Sequence, residues 1–155
     1  MLQKVKRSKQ EAAEGAFAIV ASKYNPRFVQ GMVDAAMAEL NRAALVKPLM
    51  IRVPGAFEVP VVVSKLLRGK TPYAAIICLG VILRGQTTHA QQIAEAVTSS
   101  LAQLQLQFGV PIIHEVLLLE NEAQAMVRCL DKNHNRGTEA AQTALEMARV
   151  MSSVK

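Results

Sequence analysis

The residues best suited to chemistry fall in a few short loops. The densest is Leu83-Arg84-Gly85-Gln86-Thr87-Thr88-His89. Gly85 lets a ligand approach the backbone closely. The N–H groups of Gln86 and Thr87 then point outward at a helix start, where unpaired donors and the helix dipole favour an anion such as phosphate. Thr87 and Thr88 add hydroxyl donors, and His89 follows close to whatever binds there. Taken alone, the string reads equally well as a capped helix with a surface histidine. Tyr24 has a ring that can stack on a flat heterocycle, or can simply staple the helix that Pro26 opens. Glu58, Arg128 and Arg136 each read singly as solvated helix charges. His114 sits inside an apolar run, where a core histidine satisfied by hydrogen bonds is a commoner explanation than a ligand contact. His134 reads as an exposed turn residue.

Short apolar runs alternate with helical patterns and would position these loops. Strands are expected at 17–22, 49–53, 74–83 and 111–118. Pro26 opens a helix with Phe28, Met32, Ala35, Ala36 and Leu40 on one face. Val59 to Leu67 forms a second, with Pro60 in its first turn and Gly69 as a C-cap candidate. Thr87 or Thr88 caps a long helix to about Phe108, ended by Gly109-Val-Pro111, with Ile93, Val97, Leu101, Leu104 and Phe108 inward. Glu120 or Asn121 starts a fourth helix carrying Ala125, Met126, Cys129 and Leu130. Residues 138–151 form the last, with Ala141, Ala144, Leu145, Ala148 and Met151 inward. Near-continuous apolar strands alternating with helices imply a parallel sheet covered on both faces, a three-layer α/β domain. Ligands of such sheets collect at the carboxyl ends of the strands. That rule independently selects Lys23-Tyr24-Asn25, Pro54-Gly55-Ala56-Phe57-Glu58, the 83–89 loop and Leu119-Glu120-Asn121.

The 155 residues favour one domain: 51% are hydrophobic and 19% charged, which excludes a disordered chain. The net charge of +6 invites a nucleic-acid reading. However, Lys4, Lys6, Arg7 and Lys9 supply four of the 18 bases, leaving 14 against 12 acids. The basic balance belongs largely to a tail, taken as residues 1–14, ahead of a domain at 15–155. Cys78 and Cys129 lack any CxxC or Cys/His ligand spacing, so no structural zinc site is expected. No 18-residue apolar stretch appears, and the basic start lacks the apolar core of a secretory signal. A cytoplasmic protein is the default expectation. The many Ala, Met and Leu helix positions leave apolar surface for self-association.

Taken together, the strings resemble one family. Ile-Val-Ala-Ser-Lys-Tyr-Asn at 19–25, Arg-Val-Pro-Gly-Ala-Phe-Glu-Val-Pro at 52–60, Leu-Gly-Val-Ile-Leu-Arg-Gly-Gln-Thr-Thr-His at 79–89, Asn-Arg-Gly-Thr-Glu-Ala-Ala at 135–141 and Ala-Leu-Glu-Met-Ala at 144–148 are similar to 6,7-dimethyl-8-ribityllumazine synthases. The likeness runs from about 17 to 151. VPGAFE and GxTxH in this order and spacing are its specific part. The resemblance implies a flavodoxin-like α/β/α fold with a four-stranded parallel sheet, assembling as pentamers that sometimes close into an icosahedral 60-mer. It implies an active site between neighbouring subunits.

Carried over by position, the resemblance makes His89 the acid/base residue. Tyr24 takes the place of an aromatic that stacks on the pyrimidine. Ala56, Phe57 and Glu58 take the segment holding the ribityl chain and ring edge. Val81, Ile82 and Leu83 offer backbone contacts to the pyrimidine. Gln86 and Thr87 bind the phosphate of the four-carbon substrate, and Arg128 completes that site across the subunit boundary. Arg136 replaces a lysine, and His114 a phenylalanine of the pocket wall. Further departures are Glu115 for a small residue, Leu118 for threonine, and Ala90-Gln91 for an aromatic-acidic pair. The implied reaction condenses 5-amino-6-(D-ribitylamino)uracil with 3,4-dihydroxy-2-butanone 4-phosphate, without cofactor or metal. The implied partners are these small molecules, further copies of the chain and riboflavin synthase, with no membrane and no nucleic acid. The pocket departures keep a rival open, a non-catalytic shell-forming or flavin-type ligand-binding paralogue.

Overall fold

The computed structural model describes residues 2–6 and 12–155. Arg7 and Lys9 of the basic tail lie outside the described residues. The elements in chain order are β1 (Ala16–Ser22), α1 (Pro26–Ala43), β2 (Leu49–Val53), a 3-10 turn (Ala56–Glu58), α2 (Val59–Leu67), β3 (Tyr73–Leu83), α3 (His89–Phe108), β4 (Ile112–Leu119), α4 (Glu122–Leu130) and α5 (Arg136–Ser153). All strand pairs are parallel, in the order β2-β1-β3-β4. The result is an α/β fold with a four-stranded parallel sheet and, among the described residues, five α-helices.

The apolar runs of β1 and β3 are continuous because both faces of the sheet are covered. Strand side chains alternate between faces. Phe17, Ile19 and Ala21 of β1, with Ala75, Ile77, Leu79 and Val81 of β3, enter one core with α1, α4 and α5. Ala18 and Val20, with Ile76 and Cys78, enter the other beneath α2 and α3. Both cysteines are free and buried. Burial raises both thiols, Cys129 to about 12, so neither is a ready nucleophile.

Three helices meet at the start of α5. Asn135 is buried, and its side chain donates to the carbonyls of Cys129 (2.8 Å) and Gly31 (3.2 Å) while accepting from the Gly137 N–H (2.8 Å). This cap starts α5 at Arg136, two residues before the position expected from periodicity. α1 packs so closely here that a Cβ on Gly137 would collide with the Met32 backbone. Other expectations are corrected. Gly69 is not a left-handed cap, because α2 tightens through Arg68 and the glycines with positive φ are Gly15 and Gly109. Met126 and Met151 are exposed, since α4 buries only Ala125 and Cys129, four residues apart, and Met151 lies beyond Ala148, the last buried residue of α5. No described helix is long and apolar enough to cross a membrane.

The two glycines at helix ends should respond differently. Gly109 has φ of 62° with open space around it, so Gly109→Ala should cost only the left-handed backbone, about 1 kcal/mol. Gly137→Ala must separate α1 from α5 and should cost about 3 kcal/mol or more. Urea midpoints of the two variants check this; equal losses would contradict the packing described.

Candidate active site

The order β2-β1-β3-β4 reverses direction between β1 and β3, and open α/β sheets bind ligands at the carboxyl end of that switch. A cleft of about 660 Å³ lies there. Its floor is Val81, Ile82 and Leu83 at the end of β3. One wall is Tyr24 and Asn25 after β1, with Gly55, Ala56, Phe57 and Glu58 after β2. The other is the α3 face carrying His89, Gln92, Ile93 and Ala96.

Asn25 sets the geometry of the floor. The last registered pair between β1 and β3 is Ala21 with Leu79, so β1 stops short of Val81. The Asn25 side-chain Nδ2 donates to the Val81 carbonyl at 2.7 Å in place of a strand partner. To do so, Asn25 adopts φ of 58°, the one positive φ of a non-glycine residue among those described. Asparagine tolerates this conformation better than most residues. The neighbouring Tyr24 N–H bonds the Pro54 carbonyl (3.2 Å). The Tyr24 ring lies against Gly55, where a Cβ would stand 3.0 Å from ring carbons. Tyr24 remains 69% exposed and Phe57 64%, so two aromatic faces are open at the rim.

The 84–88 segment is exposed and links the floor to α3. Thr88 is the N-cap residue of α3 but makes no side-chain cap bond; the Thr87 Oγ1, one residue earlier, accepts the His89 N–H at 3.3 Å. His89 is the first residue of α3, so its side chain leaves the loop directly. Nothing lies within 4 Å of a Cβ built on Gly85, so this side of the loop faces open space.

Three of the residues expected at the site, His114, Arg128 and Arg136, lie elsewhere in the same chain, and two sit in the loop beside it. Gln86 and Thr87 occupy the exposed segment next to His89 and do not line the cleft. His114 is held at both ring nitrogens. Nε2 bonds Thr98 Oγ1 (2.8 Å), and Nδ1 accepts the Val116 N–H (3.1 Å). Accepting at Nδ1 makes it the neutral Nε2–H tautomer, and burial lowers its pKa in the same direction. Glu115 points to the opposite face and meets Arg136 (3.4 Å), which also pairs with Glu139 (2.6 Å). Thus Glu115 and Arg136, both of which the resemblance marks as departures, are each other's partners. Burial pushes the Glu115 carboxyl up to about 6 against the lowering effect of Arg136. Arg128 is on α4 and half-buried, away from the cleft lining. The cleft therefore unites Tyr24, Ala56, Phe57, Glu58, Val81, Ile82, Leu83 and His89. Sequence reasoning gave no role to Asn25, Gln92 or Ala96. Their signals were an asparagine before a proline-opened helix and the three-to-four spacing of 89, 92, 93 and 96.

Fold and site define a class, a small doubly wound α/β protein with a switch-point cleft beside an exposed loop that leads into a helix. The family model described as 6,7-dimethyl-8-ribityllumazine synthase matches residues 14–152. The chain belongs to that family, an enzyme family of riboflavin biosynthesis.

Two predictions follow from the geometry. Asn25→Gly keeps the backbone accessible but loses the bond to Val81, and should cost about 1 kcal/mol. Asn25→Asp sets a carboxylate against that carbonyl and should cost more, about 3 kcal/mol; chemical denaturation at pH 7 ranks the pair. For Glu115, the native state holds the proton more tightly than the unfolded chain. Stability from this site is therefore lost as pH rises from about 4.5 to about 6, roughly 2 kcal/mol in all. Glu115→Gln should remove that part of the slope, and identical urea midpoints against pH for the two proteins would refute it.

Proposed function

We propose that the protein is an active 6,7-dimethyl-8-ribityllumazine synthase. The observation that carries this reading is one cleft that unites Tyr24, Glu58, the Val81–Leu83 backbone and His89 beside an open phosphate-type loop. Family membership supports it independently.

In this reading the pyrimidine of 5-amino-6-(D-ribitylamino)uracil lies along the β3 floor. Its ring stacks on Tyr24, and the polar ring edge meets backbone groups of Val81, Ile82 and Leu83. Ala56, Phe57 and Glu58 flank the ribityl chain. The phosphate of 3,4-dihydroxy-2-butanone 4-phosphate sits on the N–H groups of Gln86 and Thr87, at the positive end of α3. The 5-amino group attacks the ketone, and water leaves to give an imine. Elimination then expels inorganic phosphate and leaves an enol that tautomerises to a carbonyl. The ribitylamino nitrogen attacks that carbonyl, and loss of a second water closes the ring. His89, at the start of α3 between loop and cleft, moves protons among nitrogen, carbon and oxygen. Holding both substrates together supplies much of the acceleration. The anion loop stabilises the departing phosphate. No step needs a cofactor.

The site is completed by a second copy. Arg128 and His114 do not line their own chain's cleft, and exposed Leu45, Val46, Leu49, Val61 and Leu106 supply contact surface. Rings of five subunits accommodate both facts: a neighbour's Arg128 adds charge to the phosphate, and its His114 and Thr98 add a polar wall. Arg136, tied to Glu115 and Glu139, serves the fold in place of the substrate. That substitution favours one rival, a ligand-binding paralogue that assembles without turnover.

Absorbance of the lumazine product, with both substrates supplied, tests the reading. His89→Ala should slow turnover by about 10- to 1000-fold while leaving assembly by light scattering unchanged. Assembly without product from the unaltered protein would replace the synthase with the paralogue.

A further inference from the structure

The phosphate-type loop has no packing of its own. Residues 84–88 are exposed, and a Cβ built on Gly85 would meet open space. A loop of this kind binds an anion well only if its N–H groups are held in place beforehand, since ordering it on binding would cost affinity. The support comes from its first residue. The Arg84 N–H bonds the Leu119 carbonyl at 2.8 Å, which fastens the loop's first residue to the end of β4. The Arg84 guanidinium then reaches two ways. Its Nε donates to Glu120 Oε1 (2.9 Å), and its Nη2 donates to Gln91 Oε1 (2.8 Å) in the first turn of α3.

Both contacts continue outward. Gln91 donates through Nε2 to Glu95 Oε1 (2.7 Å), fixing its amide orientation one turn further along α3. The Glu120 N–H donates to Gln124 Oε1 (2.9 Å), and the Gln124 N–H is capped by Asn121 Oδ1 (2.9 Å) at the start of α4. A hydrogen-bonded chain thus spans the carboxyl end of the sheet, from the helix that opens with His89 to the helix that carries Arg128, with Arg84 at its centre. Arginine suits this position because a planar guanidinium can hold two acceptors in different directions at once, whereas an ammonium is a point charge.

We propose that Arg84 is a positioning residue for the phosphate half of the site, bracing the loop through Glu120 and Gln91. This rests on the proposed function and adds a residue to which that reading gave no role. With Nε and Nη2 directed to Glu120 and Gln91, Arg84 acts in this proposal by holding the loop and not by contacting the phosphate.

The sign of one substitution separates geometry from charge. Glu120 is an anion close to an anion site, so on Coulomb grounds alone Glu120→Gln should tighten phosphate binding. If it braces Arg84, Glu120→Gln should weaken binding, by about threefold. Arg84→Gln should raise KM for the butanone phosphate about tenfold, with the inhibition constant of inorganic phosphate rising in parallel. KM for the ribitylaminouracil should change less than about twofold. Arg84→Lys should not rescue, and the effects of Arg84→Gln and Glu120→Gln should be less than additive. Tighter phosphate binding in Glu120→Gln, full rescue by lysine, or an equal rise in both KM values would overturn the proposal. Direct titration with inorganic phosphate, followed by phosphorus NMR, keeps it separable from the catalytic reading. If the unaltered protein makes no lumazine but binds phosphate with this dependence on Arg84, the synthase reading fails and the bracing stands. If it binds no phosphate, the bracing fails as well.

Discussion

The cleft depends on one residue held in a conformation that side chains seldom adopt. β1 ends before β3 does, and the ladder between them would leave the Val81 carbonyl unpaired at the site where a ligand must lie. Asn25 turns left-handed and extends the ladder with its side chain. The same turn starts α1 and sends Tyr24 back over Gly55. One hydrogen bond thereby fixes the floor, the adjoining helix and the aromatic at the rim. The strain of the backbone is offset by the polar group it satisfies, and both sit where chemistry needs order.

The two halves of the site are built by different means. The floor and the Tyr24 wall rest on continuous strands and an apolar core, so their geometry is set by close packing. The 84–88 loop is exposed and is set by hydrogen bonds through Arg84 and Thr87. Polar bracing suits an exposed segment that has no apolar packing to hold it. The Glu115–Arg136 pair shows the complementary case. A buried carboxylate needs a partner, and Arg136 meets that need from the start of α5. An arginine that the family resemblance places at the site is thereby paired within its own chain.

The strands and helices were legible because each has a single dominant signal. β2 and α2 fall where alternation and proline placement put them, and every strand lies within one or two residues of its apolar run. The misplaced details share a cause. The start of α5 depends on Asn135 reaching the carbonyls of Gly31 and Cys129, one of them on a helix about a hundred residues away in sequence. Met126 has inward spacing but flanks the narrow buried stripe of Ala125 and Cys129, and Met151 lies beyond Ala148, the last buried residue of α5. Periodicity describes one helix at a time and carries no information on where its neighbour ends.

By itself the sequence determined the layer architecture, the four loops at the strand ends, and the placing of Tyr24, the 54–58 turn, the 83–89 loop and His89 among them. Apolar periodicity and turn chemistry are local properties, and the ligand rule for parallel sheets needs only their order. The tertiary structure decided which of the candidate groups are free. His114 is occupied by Thr98 and Val116, Arg136 by Glu115 and Glu139, and Arg84 by Glu120 and Gln91. Whether a polar side chain faces a ligand or a partner is settled by which distant groups the fold brings within hydrogen-bond reach, and no spacing along the chain encodes that distance.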